Sequence, residues 1–115
     1  MKTSMDHQDF ISAWARVQAE SHQIAEDQGF WKANLDLGCK IALIHSELSE
    51  ALEALRSGNP ADHHLPQHSS CATELADTVI RIMDLAGHLN YDLGRVIVEK
   101  VAYNRNRPPK HGKAF

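Results

Sequence analysis

Ile41, Ile44, Leu48, Ala51, Leu52 and Leu55 recur every three to four positions, and so do Leu75, Val79, Ile82, Met83, Ala86 and Leu89. A period near 3.6 residues gathers each set onto one face of an α-helix; it is not the strict alternation of a half-buried strand. No other stretch reads as strand. The chain is therefore expected to be all-α, a four-helix bundle, in which these two helices face a common core.

Start and stop signals divide the chain. The first helix is expected over residues 6 to about 27, with Phe10, Ile11, Trp14, Val17 and Ile24 at helical spacing, Ser4 or Asp6 as cap and Gly29 as terminator. Phe30 and Trp31 follow in a short connection, and the second helix begins near Asn34 to Gly38. It stops at Ser57-Gly58-Asn59-Pro60, where Gly supplies the C-cap and Pro forbids continuation. The next segment, to Ser70, holds two prolines and three histidines without periodicity and reads as a loop. Ser69 or Ser70 caps the third helix; Asn90 breaks it, and Asp92 caps a fourth that runs to about Asn106. With 115 residues there is room for one domain, residues 1–115, and one modest core.

Four acids mark these helices. Glu47 and Glu50 lie three apart on the second helix, and Glu74 and Asp77 three apart on the third. Helical residues at that spacing project from nearly the same side, so two neighbouring helices would offer four carboxylates to one point. Glu47 falls inside the apolar face and Glu50 at its edge, whereas Glu53 projects among Ser49, Arg56 and His45 on the polar side. A bare carboxylate in an apolar face is costly unless it is paired or binds metal. Such a nest repels itself without cations, and an all-oxygen donor set suits magnesium or manganese. Di-iron bundles instead use Glu-x-x-His, and here Glu50 and Asp77 stand where the histidines would be. The weaker of the two pairs is Glu74 and Asp77, because Asp77 lies towards the polar side near Arg81 and Asp84, where a bridge to Arg81 explains it equally well.

Charge and composition narrow the partners. A net charge of -3 argues against general nucleic-acid binding, although the segment after Lys100 carries Lys and Arg and no acid. No apolar run could span a bilayer, and the N-terminus lacks the apolar core of a signal peptide, so no membrane partner and a cytoplasmic location are expected. Cys39 and Cys71 are then expected to be free, buried thiols. Helices this amphipathic in so short a chain leave apolar surface to be covered by further copies. Trp31 is placed to stack on a nucleobase or to cap the core. His63, His64 and His68, exposed in a loop, are expected to do nothing specific.

IALIHSELSEALEALR, then ELADTVIRIMDLA, then EKVAYNRNRPPKHGK resembles the MazG-type all-α nucleoside triphosphate pyrophosphohydrolases, over roughly residues 29–113. That family's pattern is Glu-Glu-x-x-Glu, a variable loop, Glu-x-x-Asp, then a helix bearing Lys, Asn and often Arg. The resemblance implies hydrolysis of (d)NTP to (d)NMP and pyrophosphate. It implies Glu47, Glu50, Glu74 and Asp77 as magnesium ligands, and Lys100, Asn104 and Arg107 as phosphate contacts. Glu50 is the carboxylate assigned to take the proton of the attacking water. It also implies a homodimer or homotetramer whose packing completes the site. Ser46 departs from the pattern, standing where its first Glu usually falls. Two other classes fit part of the chain. A non-catalytic helical interaction protein accounts for the amphipathic faces but not for Glu47. A nucleic-acid binder using the basic tail accounts for YNRNRPPKHGK but not for the acidic body.

Overall fold

In the computed structural model, which describes residues 4–32 and 36–115, with side chains from 7 onward, four α-helices carry the fold. They are α1 (Ser4–Asp27), α2 (Leu37–Arg56), α3 (Ser70–His88) and α4 (Leu93–Arg105), followed by a short 3-10 turn, Pro109–Gly112. Strands are absent from the described residues, apart from an isolated bridge between Ala61 and Ser69.

The helix ends follow local chemistry. Asp36 caps α2 by accepting from the Cys39 backbone N–H at 2.8 Å. The start expected between Asn34 and Gly38 lies partly outside the described residues, as do the side chains of the proposed α1 caps, Ser4 and Asp6. At the other end of α2, Gly58 turns at φ 85° and the Asn59 N–H donates back to the Ala54 carbonyl at 2.7 Å. The helix C-terminus is thereby closed in the left-handed conformation that favours glycine. Ser69, not Ser70, caps α3 through the Ala72 N–H. Asp92 precedes α4 as expected but makes no side-chain cap. Its carboxylate accepts from Arg95 Nε at 2.9 Å instead, which removes it from the helix N–H groups.

Between α2 and α3 the loop is tied down by its own polar groups. Asp62 accepts from the backbone N–H groups of His64 and Leu65 and from the Thr73 hydroxyl, and Asn59 accepts from the Cys71 N–H. These bonds, the Thr73 hydroxyl foremost, hold the Asp62 carboxyl below its ordinary range.

The helices pack chiefly in the order α2–α3–α1–α4, an open layer in place of a closed bundle. Its radius of gyration, 16.6 Å, exceeds the ~13 Å of a compact domain this long. Of the large apolar residues, few are fully covered: the buried core is Ile11, Ala51, Met83, Leu85 and Ala86. Met83 and Ala86 were expected there. Ile41, Leu48, Leu52, Leu55, Leu75 and Val79 were also expected to face the core and are instead exposed: α1 meets α3 through its C-terminal half, at Ser21–Met83 and His22–Asp84, which leaves Leu75 and Val79 uncovered, and α2 packs chiefly on α3. Cys39 and Cys71 are free, as expected, but neither is buried: Cys39 is exposed and Cys71 half-buried. No helix among the described residues is long and apolar enough to cross a membrane.

Candidate metal centre

Adjacent, interlocked helices α2 and α3 bring acids together. Glu47, Glu74 and Asp77 each present a carboxylate oxygen within 4.8 Å of the other two, the one such grouping of metal-type ligands among the described residues. The Glu47 side chain is 13% exposed, and Arg81 Nε lies 3.5 Å from its Oε1. Glu74 is half-buried and its carboxyl is pushed up by desolvation first, then by the charges of Glu50, Glu47, Asp77 and Asp62. Glu50 itself is exposed and outside the grouping of three, standing at its rim. Glu53, as its polar position indicates, pairs outward with Arg56.

The donor set suits a hard divalent ion. It contains oxygen alone, and opposite oxygens of an octahedral magnesium shell lie ~4.2 Å apart, so small side-chain rotations close the set around an ion. The Glu74 carboxyl is raised by desolvation first and by its acidic neighbours second, and a divalent cation would offset the charge of those neighbours.

A cavity of about 340 Å³ opens beside these acids. Ser21, Ile24 and Ala25 of α1, Lys40 and Glu47 of α2, and Asp77, Ile80, Arg81 and Asp84 of α3 line it, with Phe30 from the connection between α1 and α2. Lys100, Asn104 and Arg107 do not. They lie on or just past α4, which packs on α1, and the ammonium of Lys100 and guanidinium of Arg107 rest over the Tyr103 ring at 4.8 and 5.6 Å. Asn104 Oδ1 is buried and has no hydrogen-bond partner among the described residues.

Trp31 is occupied within the chain. His88 stacks on its ring at 4.0 Å and 12°, Lys40 Nζ sits over the ring 4.0 Å from its centroid, and Nε1 donates to Asp84 Oδ1 at 2.8 Å. Two groups so close to one centroid must take opposite faces. Its neighbour Phe30, 51% exposed, is the aromatic that lines the cavity. His63 and His64 pack edge-to-face in the exposed loop, and neither belongs to the acidic grouping.

Sequence reasoning overlooked Lys40 and Asp84. A signal existed: each stands seven residues from a carboxylate of the site, Lys40 before Glu47 and Asp84 after Asp77. Seven residues fall only ~20° short of two full turns, so each pair shares a face. No protein-family model matches the chain, and no curated protein or solved structure does so either.

Proposed function

We propose that the protein is a magnesium-dependent nucleoside triphosphate pyrophosphohydrolase, hydrolysing (d)NTP to (d)NMP and pyrophosphate on a MazG-like helical scaffold. The observation that carries this reading is the meeting of Glu47, Glu74 and Asp77, drawn from two helices, with Glu47 and Asp77 on the wall of a cavity large enough for part of a nucleotide. Acids that merely decorate a solvated surface have no reason to converge there. Magnesium, or manganese, held by Glu47, Glu74 and Asp77 with Glu50 at the rim, would offset the phosphate charge and acidify a bound water.

The chain's own groups do the rest. Glu50, exposed one helical turn from Glu47, is placed to accept the proton of the attacking water. Arg81 contacts Glu47 through Nε, which leaves its other N–H donors for a phosphate oxygen. Lys100, Asn104 and Arg107 are assigned to the β- and γ-phosphates. Since α4 of the same chain packs on α1, they reach the acids from a second copy.

That second copy also covers the apolar face of α2 and α3. Leu48, Leu52, Leu55 and Leu75 are each between 46% and 60% exposed, and burying each contributes roughly 1 kcal/mol. An extended single chain with so thin a core gains more from this contact than from staying alone. The reading is therefore of a homodimer or homotetramer.

Incubation with a panel of dNTPs and NTPs, with magnesium or with chelator, tests the proposal. Metal-dependent release of pyrophosphate is the expected result. Its absence with every nucleotide overturns the enzymatic reading in favour of a helical interaction protein.

A further inference from the structure

Arg81 is the one cation that pairs with an acid of the metal centre. Among the described residues, His22 serves Glu26 and Asp84, Arg56 serves Glu53 and Arg95 serves Asp92, while Glu50, Glu74 and Asp77 have no basic side chain at ion-pair distance. Asp77 stands one helical turn before Arg81 on α3, a spacing at which an ion pair within the helix is ordinary. The guanidinium instead crosses to Glu47 on α2. It thus sits on a carboxylate that the nucleotide-hydrolase reading, on which this inference rests, gives to magnesium.

The contact is of a kind that can be exchanged. At 3.5 Å it is longer than the ~2.7–2.9 Å of a charge-assisted hydrogen bond. Its two partners also differ in freedom: the Glu47 side chain is 13% exposed and that of Arg81 36%. The carboxylate is held between the helices, whereas the guanidinium, on a longer arm and nearer water, is the group that can leave. Both line the cavity together with Asp77, so Arg81 can turn from Glu47 into that space. Charge then sets the order of events. A divalent ion at Glu47 would share one carboxylate with the guanidinium. A monovalent and a divalent cation ~5 Å apart repel enough, even at the dielectric of water, to weaken binding by about 10-fold. A triphosphate reverses this, because guanidinium binds phosphate oxygens in pairs and is drawn off Glu47 as the phosphates enter.

We propose that Arg81 is an interlock between metal and nucleotide: it keeps the affinity of the empty centre for a divalent ion low, and it releases Glu47 to that ion when a triphosphate takes the guanidinium. Before substrate arrives, Glu47 is neutralised from within the chain and the centre does not commit an ion. Once both are present, metal and nucleotide each raise the affinity for the other, and by the same factor, as linkage requires. The device works through charge. Lysine at this position preserves it, and methionine or glutamine removes it.

Titration of Mn²⁺ into chelator-stripped protein without nucleotide, followed by electron paramagnetic resonance, tests this without turnover. Arg81→Met is expected to bind Mn²⁺ about 10-fold more tightly than the wild-type protein, and Arg81→Lys to stay near wild type. Arg56→Met removes an equal charge from a pair outside the centre and should change the affinity by less than ~2-fold. With unhydrolysable α,β-imido-dNTPs, Mn²⁺ should raise nucleotide affinity by a larger factor in the wild type than in Arg81→Met. An Mn²⁺ affinity unchanged or weakened in a folded Arg81→Met, an equal gain in Arg56→Met, or an equal coupling factor in wild type and Arg81→Met overturns the proposal. If Arg81→Met does not fold, Arg81→Gln decides, since its amide can still donate to Glu47 without a charge. Tighter Mn²⁺ binding by Arg81→Met with the larger wild-type coupling, but no pyrophosphate release from any triphosphate, overturns the hydrolase reading and leaves the interlock standing. Metal-dependent pyrophosphate release with no change in Mn²⁺ affinity on removing Arg81 does the reverse.

Discussion

Arg81 Nε on α3 lies 3.5 Å from Glu47 Oε1 on α2, joining the two helices beside the acidic site. The pair answers why an acid can occupy the face of α2 that packs on α3: it has a cation at hand before any metal arrives. Glu47→Gln is expected to lower pyrophosphate release by at least ~100-fold, since a ligand charge developed against the phosphates is lost. The far-UV circular dichroism should be unchanged, because the amide is isosteric. Arg81→Met, by contrast, leaves Glu47 enclosed and unpaired. Urea denaturation without metal should show a loss of about 1–3 kcal/mol.

The direction of the Glu74 shift gives a pH signature. Its carboxyl is raised in the folded chain, by desolvation and then by Glu50 and its other acidic neighbours, so the folded state holds this proton more tightly than the unfolded state. Metal-free stability should therefore increase as pH falls from neutral through the raised value, with the gain complete below the ordinary glutamate range. Divalent ion should invert this. At neutral pH, magnesium or manganese at about 100 times its Kd should stabilise by ~2.7 kcal/mol. The gain should fade as acid protonates the site. Thermal melts across pH, with and without metal, read both effects, and Glu74→Gln should flatten them.

At Gly87, α3 passes close against His22 of α1. A Cβ there would lie 2.9 Å from His22 Cβ and 3.2 Å from His22 Cγ. Alanine normally favours a helix interior over glycine by up to ~1 kcal/mol. Here the clash should win, because His22 is itself fixed by Asp84 and by Glu26 at 3.3 Å. Gly87→Ala is expected to destabilise by about 1–2 kcal/mol in chemical denaturation, the cost of overpacking.

Leu52, 60% exposed, occupies the middle of the uncovered stripe on α2. Leu52→Glu should leave the single chain's helices in place and shift the protein towards monomer in sedimentation velocity. A charge forced into an apolar contact is poorly tolerated. Loss of activity should accompany dissociation if Lys100, Asn104 and Arg107 act from a neighbouring copy.

How much of this was legible depended on the range of the forces involved. The bounds of α2 and α3 and the stop at Gly58 follow from local rules, and the chain obeys them. The acids were legible for the same reason, since the position of Glu47 within an apolar face is a property of one helix. Which apolar face meets which neighbour is not local. Leu75 and Val79 carry the same pattern as Met83 and Ala86, yet α1 covers the latter and not the former. Nor could spacing show that the indole of Trp31 would be spent on His88, Lys40 and Asp84, residues of two other helices. Asp92 is a smaller instance: its cap was expected from residue type, and Arg95 three residues on competed for the carboxylate.

The two-turn spacing within α2 and α3 restricts how such a chain can change its length. One residue inserted between Lys40 and Glu47, or between Asp77 and Asp84, would rotate everything beyond it by ~100° and carry one member of the pair off the cavity wall. The tip that joins the helices, around His63 to Gln67, bears no such phase relationship. Insertions and deletions should collect there, and a tag or a reporter domain spliced into that tip should leave the cavity undisturbed.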